Sequence, residues 1–214
     1  MDIALYYAPT TCALAPYITL TEAGADFEVR PLDFRRRQQL APDYLNLNPK
    51  HKVPMLVVDG ATLTESVAIQ QWIARAFPDA RLLPSDPWQE LQAISILSWC
   101  SSGIHPYLRQ IHSPGKVCET PGSEASVVEL SRKVLDETFA IASDLLAGRE
   151  YFFDHFTAAD AHFFWCVRRA TQLDVEMSKF PHCLSHFERV KARESARKLL
   201  AYEKSVLERF ASAA

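Results

Sequence analysis

Apolar and polar positions follow two different grammars along the chain. Ile3 to Tyr7 is a short apolar and aromatic run stopped by Pro9, and Ala13 to Ala23 then carries Leu14, Ile18 and Leu20 at helical spacing before Gly24 at a C′ position. This reads as strand, loop and helix. Phe27 to Leu32 alternates apolar and charged side chains as an extended segment does, and Pro42 to Leu47 suits a short helix. Met55 to Val58, then Asp59-Gly60, then Ala61 to Leu63 reads as a β-hairpin, because an Asp-Gly pair between apolar runs suits a two-residue turn with positive φ. From Glu65 to Phe77, residues Val67, Ala68, Ile69, Trp72, Ile73 and Phe77 line one side of a helix. The order β-α-β-α-β-β-α implies a right-handed crossover with a parallel pair, plus an antiparallel hairpin at the edge, in a mixed four-stranded sheet flanked by helices.

Pro78 to Pro87 holds three prolines in ten residues and breaks helical continuity, so the domain boundary is placed there, with domains at 1–79 and 88–214. The remainder is helical in pattern: Trp88 to about His112, Ser123 to Leu146, Thr157 to about Leu173, Pro181 to about Lys191, and Ser195 to Phe210. The expected fold class is therefore an α/β N-terminal domain followed by an all-α C-terminal domain. Thr157-Ala158-Ala159-Asp160 places a Thr at the N-cap and a carboxylate at N3, which is a folding signal.

Composition narrows the classes. Hydrophobic residues at 48% and charged residues at 23% of the 214 match globular chains and exclude disorder or a rod. The net charge of −3, with Arg35-Arg36-Arg37 as the longest basic cluster, argues against nucleic acid as a partner. No apolar run approaches a membrane span, and the start, Met1-Asp2-Ile3-Ala4-Leu5, lacks the basic residues of a signal peptide, so the expected location is cytoplasmic. Five cysteines without a C-x-x-C pair or a histidine cluster support neither a disulfide framework nor a metal site.

Three places can carry chemistry. Cys12 follows a strand and a turn and opens the first helix, where free N–H groups and the dipole favour an anion and can lower a thiol pKa. A half-buried, inert Cys is the alternative, with Thr10, Thr11, Tyr6 and Tyr7 as rival polar groups. Val53-Pro54 enters a strand after a polar loop and is a candidate cis peptide, whose geometry turns the Val53 N–H and C=O outward to pair with an extended peptide. Ser66 opens a helix, where it can cap or join a carboxylate-binding site, and Glu65 beside it suits an amino group. Together they can grip a free amino-acid head group.

Leu5 to Pro16, Asn48-Pro49-Lys50 through Val53-Pro54, Leu63 to Ile69, and Phe156 to Ala161 resemble the glutathione S-transferases, most closely the bacterial beta class, over almost the whole chain. The resemblance implies a thioredoxin-like N-terminal domain, glutathione as co-substrate, no metal, a small hydrophobic electrophile bound in the cleft against the helical domain, and a homodimer. It matches Cys12 to the beta-class cysteine, Val53 before a cis Pro54 to the residue pairing with the cysteinyl backbone, and Glu65 and Ser66 to the γ-glutamyl site. Lys50 and Lys52 lie where they can meet the glycyl carboxylate or remain solvated. Ser101 to Tyr107 resembles the segment that brings a His to the thiol, with His105 in that place. The lysine that follows it in the family is Pro106 here. Thiolate activation is thereby open among Cys12, Thr11, Tyr7 and His105. The activity implied is conjugation of glutathione to electrophiles, with thiol-disulfide exchange through Cys12 also open. A non-catalytic glutathione- or ligand-binding protein of the same fold is the alternative.

Overall fold

An apolar run free of glycine and proline suits a central strand covered on both faces, and Ile3–Tyr7 forms such a strand, β1, with all but Tyr6 buried. In the computed structural model, which describes residues 1–212, β1 is followed by α1 (Leu14–Glu22), β2 (Glu28–Pro31), α2 (Pro42–Leu47), β3 (Met55–Val58), β4 (Ala61–Thr64) and α3 (Ser66–Ala76). The sheet order is β2-β1-β3-β4. β2 runs parallel to β1, while β3 is antiparallel to both β1 and β4. This is the expected thioredoxin-like mixed sheet. Pro31 ends the edge strand β2, where a missing N–H is tolerated. The hairpin turn places Asp59 at φ 47° and Gly60 at φ 85°, both in the left-handed region that a type I′ turn requires.

Leu14, Ala15, Ile18 and Leu20 of α1 and Ile69 and Ile73 of α3 are fully buried. Each large apolar side chain contributes up to about 1.5–3 kcal/mol relative to exposure. The two helices also share a polar link, since Thr19 Oγ1 donates to Gln70 Oε1 at 2.7 Å with both residues wholly buried.

The second compact unit, Asp86–Lys191, holds α4 (Pro87–Trp99), a π-helical turn (Cys100–Ile104), α5 (His105–His112), α6 (Glu124–Leu145), α7 (Ala158–Gln172) and α8 (Pro181–Lys191). The pattern implies one helix from Trp88 to His112, and the π turn corrects this. Pro106 has no N–H, and its ring would strike the carbonyl four residues back, so the backbone widens before it. Gly103 lies inside that turn because a Cβ there would stand 2.4 Å from Cδ1 of Trp99. α7 is the centre of this unit, with Ala158 through Val167 all buried.

Its start is anchored by Asp160. One carboxylate oxygen accepts from the Thr157 N–H and hydroxyl at 2.8 Å each, and the other accepts from the Phe152 N–H at 3.0 Å and meets His186 Nε2 at 2.9 Å.

The last helix, α9 (Glu194–Ser212), belongs to the first unit, which comprises Met1–Ser85 and the chain from Ala192 onward. The expected 88–214 domain is therefore divided differently. The reason is a set of specific links: Arg193 forks onto Glu22 at 2.8 Å through two nitrogens, Ser195 donates to the same carboxylate, and Tyr202 stacks on Tyr17 at 5.6 Å.

Replacing Asp160 with Ala leaves two N–H groups, a hydroxyl and an imidazole unanswered in the interior, so a loss of about 3–5 kcal/mol is expected in urea denaturation. A loss within the range of a surface substitution would assign the anchoring of α7 to packing alone.

Candidate functional site

The segment between β1 and α1 is a tight turn. Thr10 has φ 64°, the Thr11 N–H donates to Ala8 O at 3.3 Å, and the Thr11 hydroxyl donates to the same carbonyl at 2.7 Å. Thr10 is held in this conformation because its N–H donates to Glu203 Oε2 of α9 at 2.7 Å. The same oxygen accepts from the Tyr7 hydroxyl at 2.9 Å, and Glu203 is only 2% exposed. Tyr7 itself is fully buried beside Tyr17 and Tyr202. The hydroxyl of Tyr7, a candidate catalytic group, thus donates to a buried carboxylate. Glu203 escaped the sequence reading. The available signal was an acidic residue on the apolar stripe Leu199, Glu203, Val206 of α9.

Cys12 lies one residue before the Ala13 N-cap of α1. It is 6% exposed, and its thiol faces the Val53 carbonyl at 3.7 Å. Burial pushes the thiol up to about 12; a backbone N–H and the charge of Lys52 pull it down, and Glu65 adds to the rise. The lowered pKa expected from the helix start is thus reversed, since removal from water outweighs the dipole. Cys12 is a neutral thiol at neutral pH.

Val53 is fixed by the loop before it. The Lys52 carbonyl accepts from the Tyr44 hydroxyl and from Asn48 Nδ2 at 2.8 Å, and the Val53-Pro54 bond is cis. Tyr44 and Asn48, buried beneath the loop, were not singled out from sequence, where Asn48 before Pro49 offered only an Asx-turn signal.

At the other end of the hairpin, Glu65 precedes α3 with φ 73°. Its carboxylate takes Lys50 Nζ at 2.6 Å, and the same ammonium donates to the Thr64 hydroxyl at 3.0 Å. Lys50 therefore pairs with Glu65 at the surface, in an exposed ion pair worth about 0–1 kcal/mol that a charged ligand can displace. Lys52 stays exposed. Ser66 is the first residue of α3, and its buried hydroxyl has no hydrogen-bond partner among the described residues. It does not cap the helix. The first N–H groups of α3 and this hydroxyl form an unfilled donor set beside a carboxylate, which is the arrangement that receives an α-amino acid head group.

In the helical unit, His105 opens α5 half-buried, with its ring 4.5 Å from Trp165. The structure thus brings Cys12 to Val53 and Lys50 to Glu65, with Ser66 next in the chain.

A mixed sheet in the order β2-β1-β3-β4 with a cis proline entering β3 and α3 following the hairpin defines a thioredoxin-like domain. Residues 1–75 match the family model "Glutathione S-transferase, N-terminal domain". The chain is 30% identical over 203 residues to glutathione S-transferase GstA of Escherichia coli O157:H7, covering 93% of this chain and 98% of that one. It is 29% identical over 185 residues to maleylacetoacetate isomerase of Mus musculus, covering 84% and 82% respectively. Among solved structures, a sphingomonad glutathione S-transferase complexed with glutathione aligns at 28% identity with TM-score 0.83, covering 94% of this chain and 98% of that one. The bacterial beta class glutathione S-transferase of Sphingomonas chungbukensis aligns at 30% with TM-score 0.82 and the same coverage. The protein belongs to the glutathione S-transferase family.

Two outcomes are expected from this geometry. With Cys12 buried and raised, and Cys118 held below its ordinary value by the neighbouring Ser123 and Thr120 polar groups, iodoacetamide near neutral pH should modify Cys118 first. Peptide mapping with Cys12 labelled ahead of Cys118 would contradict the burial argument. Glu203→Gln should weaken the hold on Tyr7 and Thr10 and lower thermal stability, by about 1–3 kcal/mol for hydrogen bonds to a charged acceptor, while Tyr7→Phe lowers it less.

Proposed function

We propose that the protein is a glutathione-dependent transferase that adds the glutathione sulfur to a small electrophile. The observation that carries this reading is the unpartnered, buried Ser66 hydroxyl at the start of α3, with Glu65 beside it. The γ-glutamyl carboxylate takes the Ser66 hydroxyl and the first N–H groups of α3, and the amino group takes Glu65. The backbone of Val53 pairs with the cysteinyl residue as an added strand. Lys52 meets the glycyl carboxylate, and Lys50 joins it once Glu65 is engaged by the ligand.

A thiol raised to about 12 is a donor rather than a nucleophile at neutral pH. Cys12 therefore turns its S–H from the Val53 carbonyl to the glutathione thiolate and lowers the pKa of that sulfur, with the Thr11 hydroxyl as a second donor once it leaves the Ala8 carbonyl. The glutathione S–H proton passes to solvent, the sulfur forms a bond to the electrophilic carbon, and the leaving group or the displaced π electrons depart from it. This role favours conjugation over disulfide exchange, which would need Cys12 ionised. The likeness to a protein named maleylacetoacetate isomerase supports a second outcome of the same thiolate chemistry, in which the sulfur adds and leaves again. Product analysis separates the two, because only conjugation retains glutathione.

The same reading makes the protein a cytoplasmic homodimer. Trp88 and Leu91 on α4 and Leu130 and Ile141 on α6 are more than half exposed and supply apolar surface for a second copy.

Immobilised glutathione should retain the protein, and turnover of 1-chloro-2,4-dinitrobenzene with glutathione should be measurable. Ser66→Ala should weaken glutathione binding by about 1.5–3 kcal/mol in calorimetry. Binding without any turnover would make this a glutathione-binding module, and unchanged affinity of Ser66→Ala would remove Ser66 from the site.

A further inference from the structure

Two locally unfavourable features of the first unit meet at one hydrogen bond. Thr10 is β-branched and holds φ 64°, a left-handed conformation that glycine adopts freely and that crowds the Cβ of any other residue. Glu203 is 2% exposed on the stripe of α9 that also buries Ala196, Leu199 and Val206, a position where an apolar side chain would pack without giving up hydration. The Thr10 N–H donates to Glu203 Oε2 at 2.7 Å, so each feature offsets the other. Other links also dock α9 in this unit: Arg193 forks onto Glu22 at 2.8 Å, Ser195 donates to the same carboxylate, and Tyr202 stacks on Tyr17. What the Glu203 carboxylate adds is an acceptor for a backbone N–H inside a turn. Directly after Thr10, the Thr11 N–H and hydroxyl both donate to Ala8 O, at 3.3 Å and 2.7 Å, and the Cys12 thiol faces Val53 O at 3.7 Å. The rotation of Thr10 therefore fixes the direction in which both side chains leave the backbone. Strained backbone held by a buried polar contact beside reactive groups is a means of preorganisation.

We propose that Glu203 is a positioning residue for the thiol site: from α9 its carboxylate keeps Thr10 at positive φ and so sets the Thr11 hydroxyl and the Cys12 thiol within reach of the glutathione sulfur. The inference rests on the transferase reading for that sulfur and adds a residue that acts through Thr10. With Glu203 replaced by Ala, Thr10 relaxes toward negative φ, the turn opens, and the sulfur loses the donors that stabilise its thiolate. Val53, Glu65 and Ser66 lie on other segments, so glutathione is still bound. Two rival roles lead elsewhere. A carboxylate acting on the sulfur by its charge alone would disfavour the thiolate, and its removal would lower the thiol pKa of bound glutathione. A residue that only held the fold together would leave that pKa at the wild-type value.

The test is an ultraviolet pH titration of the glutathione thiolate bound to wild type, Glu203→Ala, Glu203→Gln and Arg193→Gln, the last of which loosens α9 without touching Thr10. Glu203→Ala should raise the bound thiol pKa by about one pH unit, and below that pKa the turnover of 1-chloro-2,4-dinitrobenzene should fall about tenfold, chiefly in kcat, with the KM for glutathione nearly unchanged. Glu203→Gln keeps an oxygen acceptor for the Thr10 N–H and should recover part of the loss. Arg193→Gln should titrate as the wild type does. No change or a fall in Glu203→Ala, or in Glu203→Gln where the alanine variant does not fold, overturns the inference, and so does an equal rise in Arg193→Gln. The titration needs no electrophile, so it decides the inference even where turnover is absent. Should the wild type not bind glutathione, the transferase reading fails and alkylation of Cys12 by iodoacetamide decides the positioning separately. Faster labelling of Cys12 in the Glu203 variants than in wild type and Arg193→Gln upholds the hold on the turn, and equal rates reject it.

Discussion

The first unit depends on one buried carboxylate. Glu203, nearly inaccessible on α9, accepts from the Tyr7 hydroxyl at the end of β1 and from the Thr10 N–H in the turn that follows. A carboxylate taken from water without partners would cost several kcal/mol, so the helix is docked only in the register that offers these two donors. The consequence runs forward along the chain. With Thr10 held at positive φ, the turn closes through Thr11 and Ala8, and Cys12 is delivered beneath the Val53 carbonyl. Glu22 reinforces the docking through Arg193 and Ser195. A helix that is last in the chain thereby shapes a loop near its start.

Burial and electrostatics then divide the chemistry. Exclusion from water overrides the helix start at Cys12 and leaves a neutral thiol, suited to donating a hydrogen bond. At Ser66 the same exclusion leaves a buried hydroxyl without a partner among the described residues, which is costly. Lys50 and Glu65 pair across the hairpin mouth in an exposed bridge weak enough to open.

Much of this was legible from residue order. The strand and helix periods placed β1 through α3 in their observed order, Asp59-Gly60 marked the hairpin, and Thr157 with Asp160 marked the start of α7. These are local effects, in which each residue acts on neighbours within a turn or two. The cis bond at Val53-Pro54 and the helix start at Glu65-Ser66 were legible for the same reason, because backbone geometry and helix ends are written in short stretches.

What only the tertiary structure decided involves partners far apart in sequence. Tyr7 and Cys12 look alike on paper as polar groups near a helix start, yet one is closed off by a residue 196 positions away and the other is emptied of charge by packing. The interruption between α4 and α5 follows from Pro106, but its π form also needs Gly103 to make room for Trp99. The assignment of α9 to the first unit rests on Glu22, Tyr17 and Glu203 finding their partners across the chain. Sequence determines local conformation through short-range sterics and hydrogen bonding. Burial and charge pairing, which set the protonation state and role of each side chain, exist only once distant segments are packed together.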